Sequence, residues 1–394
     1  MGLGEKLENL SRHFGYDKGF LEHLALFMSI KNVYELLITL RHPGQRYFIR
    51  VNTLKISVEE LLDLLRGEGY EIYRHKVVRE AIFLKVKGPF SVRIYPKKII
   101  VDKHAAESVY MGANLYAPGI KKLEKIKRGD KVTIFSPNGI PVAEGIAVMS
   151  FEEIVEKWKG LAVLNTRSVY RVPSLRDHEV FYKGYIYHQS LPSMASLNVL
   201  NPTEGSIVLD MCAAPGGKAT HAAQLMKDRG EIIAVDRSDN KVEKIRKNAE
   251  RLGIRSIRTI KYDSRYISDI VGINSVDYVI LDPPCTALGV RPKLYYERTR
   301  RDIINMSNYQ RQFLSEAYKV LRKGGKLLYT TCTLTLEENE LNMIYAVEKL
   351  GFKIIDITQF PLGKSAFLGV PGIRFHPKIH DTPGFFIALL KKKE

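Results

Sequence analysis

Between residues 206 and 390 short apolar runs alternate with charged segments of helical period, and this alternation is what most limits the fold. Runs at 206–210, 231–236, 257–262, 276–281 and 326–329 read as strands, and 353–357 with 385–390 as a closing pair, seven in all. Helical periods occupy 218–226, 240–252, 308–321 and 338–350, the third closed by Lys323-Gly324-Gly325. A chain that alternates in this way builds a mostly parallel sheet with helices on its faces. Ligands of such sheets bind outside the carboxyl ends of the strands.

The first strand runs into Asp210-Met211-Cys212-Ala213-Ala214-Pro215-Gly216-Gly217-Lys218. Glycines in such a turn remove the side chains that would keep a ligand from the backbone. The spacing is neither GxGxxG nor GxxxxGK[ST], which disfavours a dinucleotide and, despite Lys218, a P-loop. Asp236 ends the second strand about twenty residues beyond the glycines, where a carboxylate can receive both hydroxyls of a ribose. Asp263, after the third strand, is placed to accept from an adenine amino group. Either aspartate read alone is equally well explained as a helix cap.

The fourth strand ends in Asp282-Pro283-Pro284-Cys285 and the fifth in Thr330-Thr331-Cys332. The prolines fix the backbone and leave neighbouring carbonyls free for a planar amine. A lone cysteine is usually a small buried hydrophobe. Two of them at the ends of strands expected to be neighbours meet in one pocket, which points to covalent thiol chemistry beside a nucleotide-like cofactor.

The rest of the chain says what such a site would act on. Lys and Arg outnumber Asp and Glu to give a net charge of +18, which favours a polyanionic partner, nucleic acid or an anionic membrane surface. No apolar stretch approaches the roughly 18 residues of a membrane span, and the opening segment is polar, unlike a secretory signal. Three widely spaced cysteines argue for a reducing, cytoplasmic setting. The absence of a CxxC pair argues against structural zinc. Residues 1–47 read as helical. A strand at 47–51, a helix at 58–66 with Ser57 as N-cap, and a strand at 81–86 resemble a small α+β unit. From 93 to 171 short strand-like pieces are divided by Ala117-Pro118-Gly119, Arg128-Gly129-Asp130 and the hairpin signal Pro137-Asn138-Gly139. This β-rich stretch carries Lys121, Lys122 and Lys125. Residues 291–301 combine Arg291, Lys293 and Arg298 with Tyr295 and Tyr296, a mixture suited to phosphate contact and base stacking, or simply a solvated basic loop.

In this order and spacing, the segments around Cys212, Cys285 and Cys332 resemble the Sun-domain (NOL/NOP/Sun) family of RNA cytosine-5 methyltransferases, which use S-adenosylmethionine. The resemblance covers at least residues 180–394, through Asp381-Thr382-Pro383-Gly384-Phe385-Phe386. Arg50-Val51-Asn52-Thr53-Leu54-Lys55 is similar to the family's N-terminal RNA-binding subdomain, and 93–171, with Tyr116-Ala117-Pro118-Gly119-Ile120, to a PUA domain. The branch with a PUA domain placed this way modifies cytosine 72 of the tRNA acceptor stem and reads the CCA end. The implied fold is α/β: a Rossmann-like, seven-stranded methyltransferase domain, an N-terminal α+β RNA-binding subdomain and an inserted β-rich PUA domain. The implied boundaries are 1–92 for the helical and RRM-like region, 93–171 for the PUA domain and 172–394 for the catalytic domain, with 172–205 completing the N-terminal subdomain and linker.

The resemblance also implies roles. Carbon 5 of cytosine is a poor nucleophile until a thiolate adds to carbon 6. Cys332 would be that thiolate, Cys285 would assist its release, and Asp282 would hydrogen-bond the ring nitrogen 3 edge. Lys218 would be the cation that favours the thiolate. The base that takes the carbon 5 proton stays open among Cys285, Asp282 and water. Cofactor contacts are expected from Cys212, Ala213, Ala214, Pro215, Gly216, Gly217, Lys218, Asp236, Lys241, Asp263 and Asp282, and RNA contacts from Tyr116, Lys121, Lys122, Lys125, Arg291, Lys293 and Arg298. The target base must be flipped out or already unpaired. The expected partner is tRNA, bound at acceptor stem and CCA end by a monomer with no obligatory protein partner. The family commonly places Ser-Gly after Pro-Pro-Cys; here Thr286-Ala287 follows, and Thr286 keeps the hydroxyl. The rivals are an rRNA methyltransferase, a non-catalytic RNA-binding or assembly factor, and an amino-group methyltransferase. Intact Cys285, Cys332 and Asp282 speak against the second. An aromatic would be expected where Cys285 stands in the third.

Overall fold

The apolar runs of the second half pair into one mixed sheet in the computed structural model, which describes residues 2–173 and 175–393. Its strands are β1 (Ile207–Asp210), β2 (Glu231–Asp236), β3 (Ile257–Lys261), β4 (Val276–Leu281), β5 (Leu321–Thr331), β6 (Phe352–Ile355), β7 (Lys364–Ser365), β8 (Ile373–Phe375) and β9 (Phe385–Lys392). They lie in the order β3-β2-β1-β4-β5-β9-β8-β7, with β6 also on β9. Strands β1 to β5 run parallel, and β9 is antiparallel to β5. The seven expected strands are present. The sheet gains two more because β7 and β8 pair antiparallel on the far side of β9. They span only two and three residues, too short for an alternation to show.

Alternate residues of each strand feed opposite faces, as the period of two requires. Val208, Ile232, Ile280, Leu328 and Ile387 enter one core; Leu209, Ile233, Val279, Leu327 and Phe386 enter the other. Strands covered on both faces in this way read as continuous apolar runs. The turn expected at Lys323-Gly324-Gly325 survives as an irregularity inside β5. Pairing with β4 jumps from Val276↔Leu321 to Tyr278↔Lys326, with Gly324 at φ 75.

The chain divides into two units. One comprises Arg46–Leu84, Ser174–Val290 and Arg300–Glu394, and so holds the nine-stranded sheet. It also holds a four-stranded sheet in the order Ile186–Tyr187, Arg46–Val51, Ala81–Lys85, Ile72–Arg74. Helix Val58–Gly67 starts at Ser57, whose hydroxyl accepts from the Glu60 amide while the Glu60 carboxylate accepts from the Ser57 amide. From this smaller sheet the fully buried Arg50 donates to the Gly217 carbonyl (2.7 Å), Thr220 Oγ1 (2.8 Å) and Gln189 Oε1 (2.6 Å).

The other unit comprises Met1–Gln45, Lys85–Pro173 and Arg291–Thr299. Helices Leu3–Phe14, Lys18–Leu24 and Ile30–Arg41 open it. A six-stranded sheet follows, in the order Leu115–Tyr116, Leu161–Ser168, Pro141–Ala147, Lys131–Phe135, Lys97–Val101, Ile120–Leu123. The segment Arg291–Thr299 belongs here through local pairing: the Lys293 amide donates to Leu40 O (2.7 Å), the Tyr296 amide donates to Gly15 O (2.9 Å), and Leu294 enters the β-rich core. No helix among the described residues is long and apolar enough to cross a membrane.

Candidate active site

Register between β4 and β5 sets the site. Leu281 pairs with Tyr329, so the residues that follow, Asp282 and Thr330, lie side by side, and Thr330 Oγ1 donates to Asp282 Oδ1 (3.0 Å). The two chains then turn toward each other. Cys285 Sγ and Cys332 Sγ are 3.4 Å apart, and the Gly289 amide returns to the Cys332 carbonyl at 2.9 Å. The Cys285 thiol is held well above the ordinary cysteine range. Its hydrogen bond to Cys332 is the first cause, followed by burial and by the electrostatic influence of Cys332, Glu338 and Asp282.

Lys218 donates to Asp282 Oδ2, an ion pair at the first turn of helix Gly217–Leu225. Burial opposes its charge, but the ion pair with Asp282 and the nearby Asp210 outweigh that, and its pKa is raised. Asp210, at the end of β1, is 1% exposed and has Oδ2 without a hydrogen-bond partner. Burial, with the added charges of Asp282 and Asp236, lifts its pKa to about 7 against the pull of Lys218.

A cavity of about 330 Å³ runs along these strand ends, with Cys285 and Cys332 on its wall. Its size lies within the range of small-molecule sites. Asp236, Lys241 and Asp263 also line it, together with the apolar side chains of Met211 and Phe313. Asp236 Oδ1 accepts from the Arg237 amide (2.8 Å) and lies 3.3 Å from Lys241 Nζ. S-adenosylmethionine fits this donor set. Its ribose hydroxyls need acceptors and its adenine needs an apolar slot with an acceptor for the amino group, which Asp236, Asp263 and the side chains of Met211 and Phe313 can supply.

Of the expected cofactor contacts, Cys212, Ala214, Asp236, Lys241, Asp263 and Asp282 line the cavity. Ala213, Pro215, Gly216, Gly217 and Lys218 do not. Gly216 supplies the turn, at φ 106, and a Cβ on Gly217 would press within 3.2 Å of the Tyr187 ring. These glycines thus let helix Gly217–Leu225 pack closely. Asp263 is gripped by Arg265 through Nε (3.0 Å) and Nη2 (2.6 Å), which holds its carboxyl below the usual range. Among the expected RNA contacts, Tyr116, Lys121, Lys122, Lys125 and Arg298 are exposed. Lys293, by contrast, is 4% exposed, its ammonium lying 4.9 Å over the Tyr296 ring. Arg291 donates to the carbonyls of His42 (2.9 Å) and Pro43 (2.6 Å). Spacing alone does not distinguish a cation that faces phosphate from one that satisfies carbonyls and rings of its own unit. Sequence reasoning also passed over Asp210 as a charged group and Glu338, neither of which stands at a recognisable ligand spacing.

Comparison with known proteins agrees with this geometry. Residues 197–391 match the family described as 16S rRNA methyltransferase RsmB/F, residues 97–169 the PUA domain, and residues 41–91 the ferredoxin-like domain of RsmF/B-like methyltransferases. A tRNA (cytosine(72)-C(5))-methyltransferase of Pyrococcus horikoshii is 44% identical, the alignment covering 96% of this chain and 97% of that protein. The human tRNA (cytosine(72)-C(5))-methyltransferase NSUN6 is 32% identical over 89% of this chain and 82% of its own. The crystal structure of NSun6 from Pyrococcus horikoshii with SFG superposes with a TM-score of 0.89 at 43% identity, covering 97% of this chain and 99% of that one. With the paired thiols, the cofactor cavity and full-length similarity in agreement, the chain belongs to the RsmB/F, Sun-domain family of S-adenosylmethionine-dependent RNA cytosine-5 methyltransferases, among its PUA-containing members.

Proposed function

We propose that this enzyme methylates carbon 5 of cytosine 72 in the tRNA acceptor stem through a covalent adduct between Cys332 and carbon 6 of the base. The observation that carries the chemistry is the 3.4 Å separation of Cys285 and Cys332 on the wall of the cofactor cavity. The substrate assignment rests on similarity along nearly the whole chain to tRNA (cytosine(72)-C(5))-methyltransferases. Residues 93–171 are assigned as the PUA module that reads the CCA end, and the enzyme as a cytoplasmic monomer.

S-adenosylmethionine, held by residues such as Asp236, Asp263 and Lys241, would supply an electrophilic methyl group when bound. The Cys332 thiolate forms a bond to carbon 6, and the electrons of the 5,6 double bond become available at carbon 5. Asp282, anchored by Lys218 and Thr330, hydrogen-bonds the nitrogen 3 edge and holds the ring plane. After methylation the carbon 5 proton leaves to Cys285, Asp282 or water. The carbon–sulfur bond breaks, and the double bond re-forms. Cys285, 3.4 Å from the Cys332 sulfur, hydrogen-bonds it as it departs and assists its release. Opening a pair at the end of a helix costs less than opening one in the middle, which suits a terminal acceptor-stem base.

The test is to map 5-methylcytosine in total RNA after incubation with the enzyme and S-adenosylmethionine. New methylation at position 72 of tRNAs is expected; methylation confined to ribosomal RNA would overturn the substrate assignment.

A further inference from the structure

We infer that Glu338 is a positioning residue for the two-thiol cycle, fastening the loop that carries Cys285 to the loop that carries Cys332; this rests on the covalent reading proposed above. Glu338 is completely buried just before helix Glu340–Glu348. Its Oε1 accepts from the Thr286 amide (2.8 Å) and Gln310 Nε2 (3.0 Å). Its Oε2 accepts from Thr286 Oγ1 (2.5 Å) and Thr335 Oγ1 (2.8 Å). Thr286 directly follows Cys285. Its hydroxyl also lies 2.8 Å from that of Thr333, which directly follows Cys332. One carboxylate thus reaches the residue after the first thiol and, through it, the residue after the second.

The bonds around it have the same orientation. Gln310 Nε2 also donates to Pro284 O (2.9 Å), on the residue before Cys285. The neighbouring Asn339 receives Thr331 Oγ1 (2.5 Å) and donates to Thr333 O (3.2 Å), holding Cys332 from both sides. A buried carboxylate is costly unless its oxygens are satisfied, and here four donors satisfy them. An apolar residue would fill the space but would tie neither loop. The family-typical Ser-Gly after Pro-Pro-Cys is Thr286-Ala287 here, and it is the retained hydroxyl that makes the link.

The sulfur separation of 3.4 Å depends on both loops, and the attack and release steps need it differently. Attack uses Cys332 alone; release uses the pair. Loosening the tie therefore slows breakdown of the adduct more than its formation.

The experiment compares the full-length enzyme with Glu338→Ala, Thr286→Val and Glu338→Gln on an unmodified tRNA transcript with S-adenosylmethionine. Single-turnover formation and decay of the RNA–protein adduct are followed on denaturing gels, with cofactor affinity and melting temperature measured in parallel. Glu338→Ala is expected to lower adduct decay on the order of 10- to 100-fold, so that the adduct accumulates, with cofactor affinity unchanged. Thr286→Val follows in the same direction, and Glu338→Gln, which keeps an acceptor oxygen, recovers most of the rate. Wild-type formation and decay in a folded Glu338→Ala enzyme would overturn the inference. So would a parallel fall of turnover, cofactor affinity and melting temperature in both Glu338→Ala and Thr286→Val, the behaviour of a general prop. If the wild-type enzyme forms no adduct and methylates no cytosine, the covalent reading itself fails, whatever Glu338 does.

Discussion

At the scale of single residues, the two cysteines are chemically unequal although they are 3.4 Å apart. Cys332→Ala removes the atom that bonds to carbon 6, so methyl transfer should fall to background in a radiolabel assay; appreciable turnover would remove Cys332 from the attacking role. Cys285→Ala removes the neighbouring thiol, and a stable RNA–protein band should appear on a denaturing gel; normal methylation with no such band would exclude Cys285 from release. Asp210 makes a separate prediction about pH. Its pKa rises from 3.8 unfolded to about 7 folded, mainly through burial. Between these values the folded state binds the extra proton, so stability falls as pH rises through the window, by up to roughly 4 kcal/mol if the whole shift is realised. Asp210→Asn should therefore gain melting temperature relative to the wild type progressively from about pH 4 to pH 7 in the absence of cofactor. A difference that stays constant across that range would show that Asp210 does not titrate as its surroundings require.

At the scale of elements, the strands bring the catalytic groups to one edge, but loops set their final distance. Gly289 and Gly384 meet backbone to backbone. A methyl on Gly289 would lie 2.6 Å from the Gly384 carbonyl carbon, while its amide serves Cys332 and its carbonyl receives the Gly384 amide at 2.8 Å. Gly289→Ala should push the Cys285 loop away from Cys332 and lower kcat on the order of 100-fold without weakening cofactor binding, since neither glycine lines the cavity. Steady-state kinetics that show an unchanged kcat would mean that the loops absorb the methyl. This contact also marks how far the sequence could be read. The strands, the turn after β1 and both thiol loops were legible because each is local: an apolar run followed by Pro, Gly or Cys. The approach of Gly289 to Gly384 and the carboxylate of Glu338 beneath Thr286 join segments remote in sequence, and no periodicity records them. The same holds for Lys293. Its cation and adjacent tyrosines look like an RNA contact in sequence, and only the fold shows that the side chain is buried with its ammonium over the Tyr296 ring.

At the scale of the whole molecule, the net charge of +18 has to be divided between charge that faces water and charge spent on internal pairs. Lys121, Lys122 and Lys125 lie exposed on and just beyond strand Ile120–Leu123, with Tyr116, 57% exposed, on the short strand before them. Exposed lysines bind phosphates mainly by releasing counterions, so their contribution shows in the salt dependence of binding more than in its specificity. Replacing all three with Glu should weaken tRNA binding at every salt concentration and flatten the slope of log Kd against log salt by about one for each phosphate no longer neutralised. Affinity for S-adenosylmethionine should not change, because the cofactor cavity is built wholly from the other unit. Truncating the CCA end of the transcript distinguishes steering from recognition. If the β-rich domain reads that end, truncation weakens binding to the wild-type enzyme, and the weakening persists at high salt, where the lysines contribute least. Equal affinity for full-length and truncated tRNA would remove the CCA end from the recognised surface. An unchanged salt slope in the triple variant would show that these lysines face solvent only.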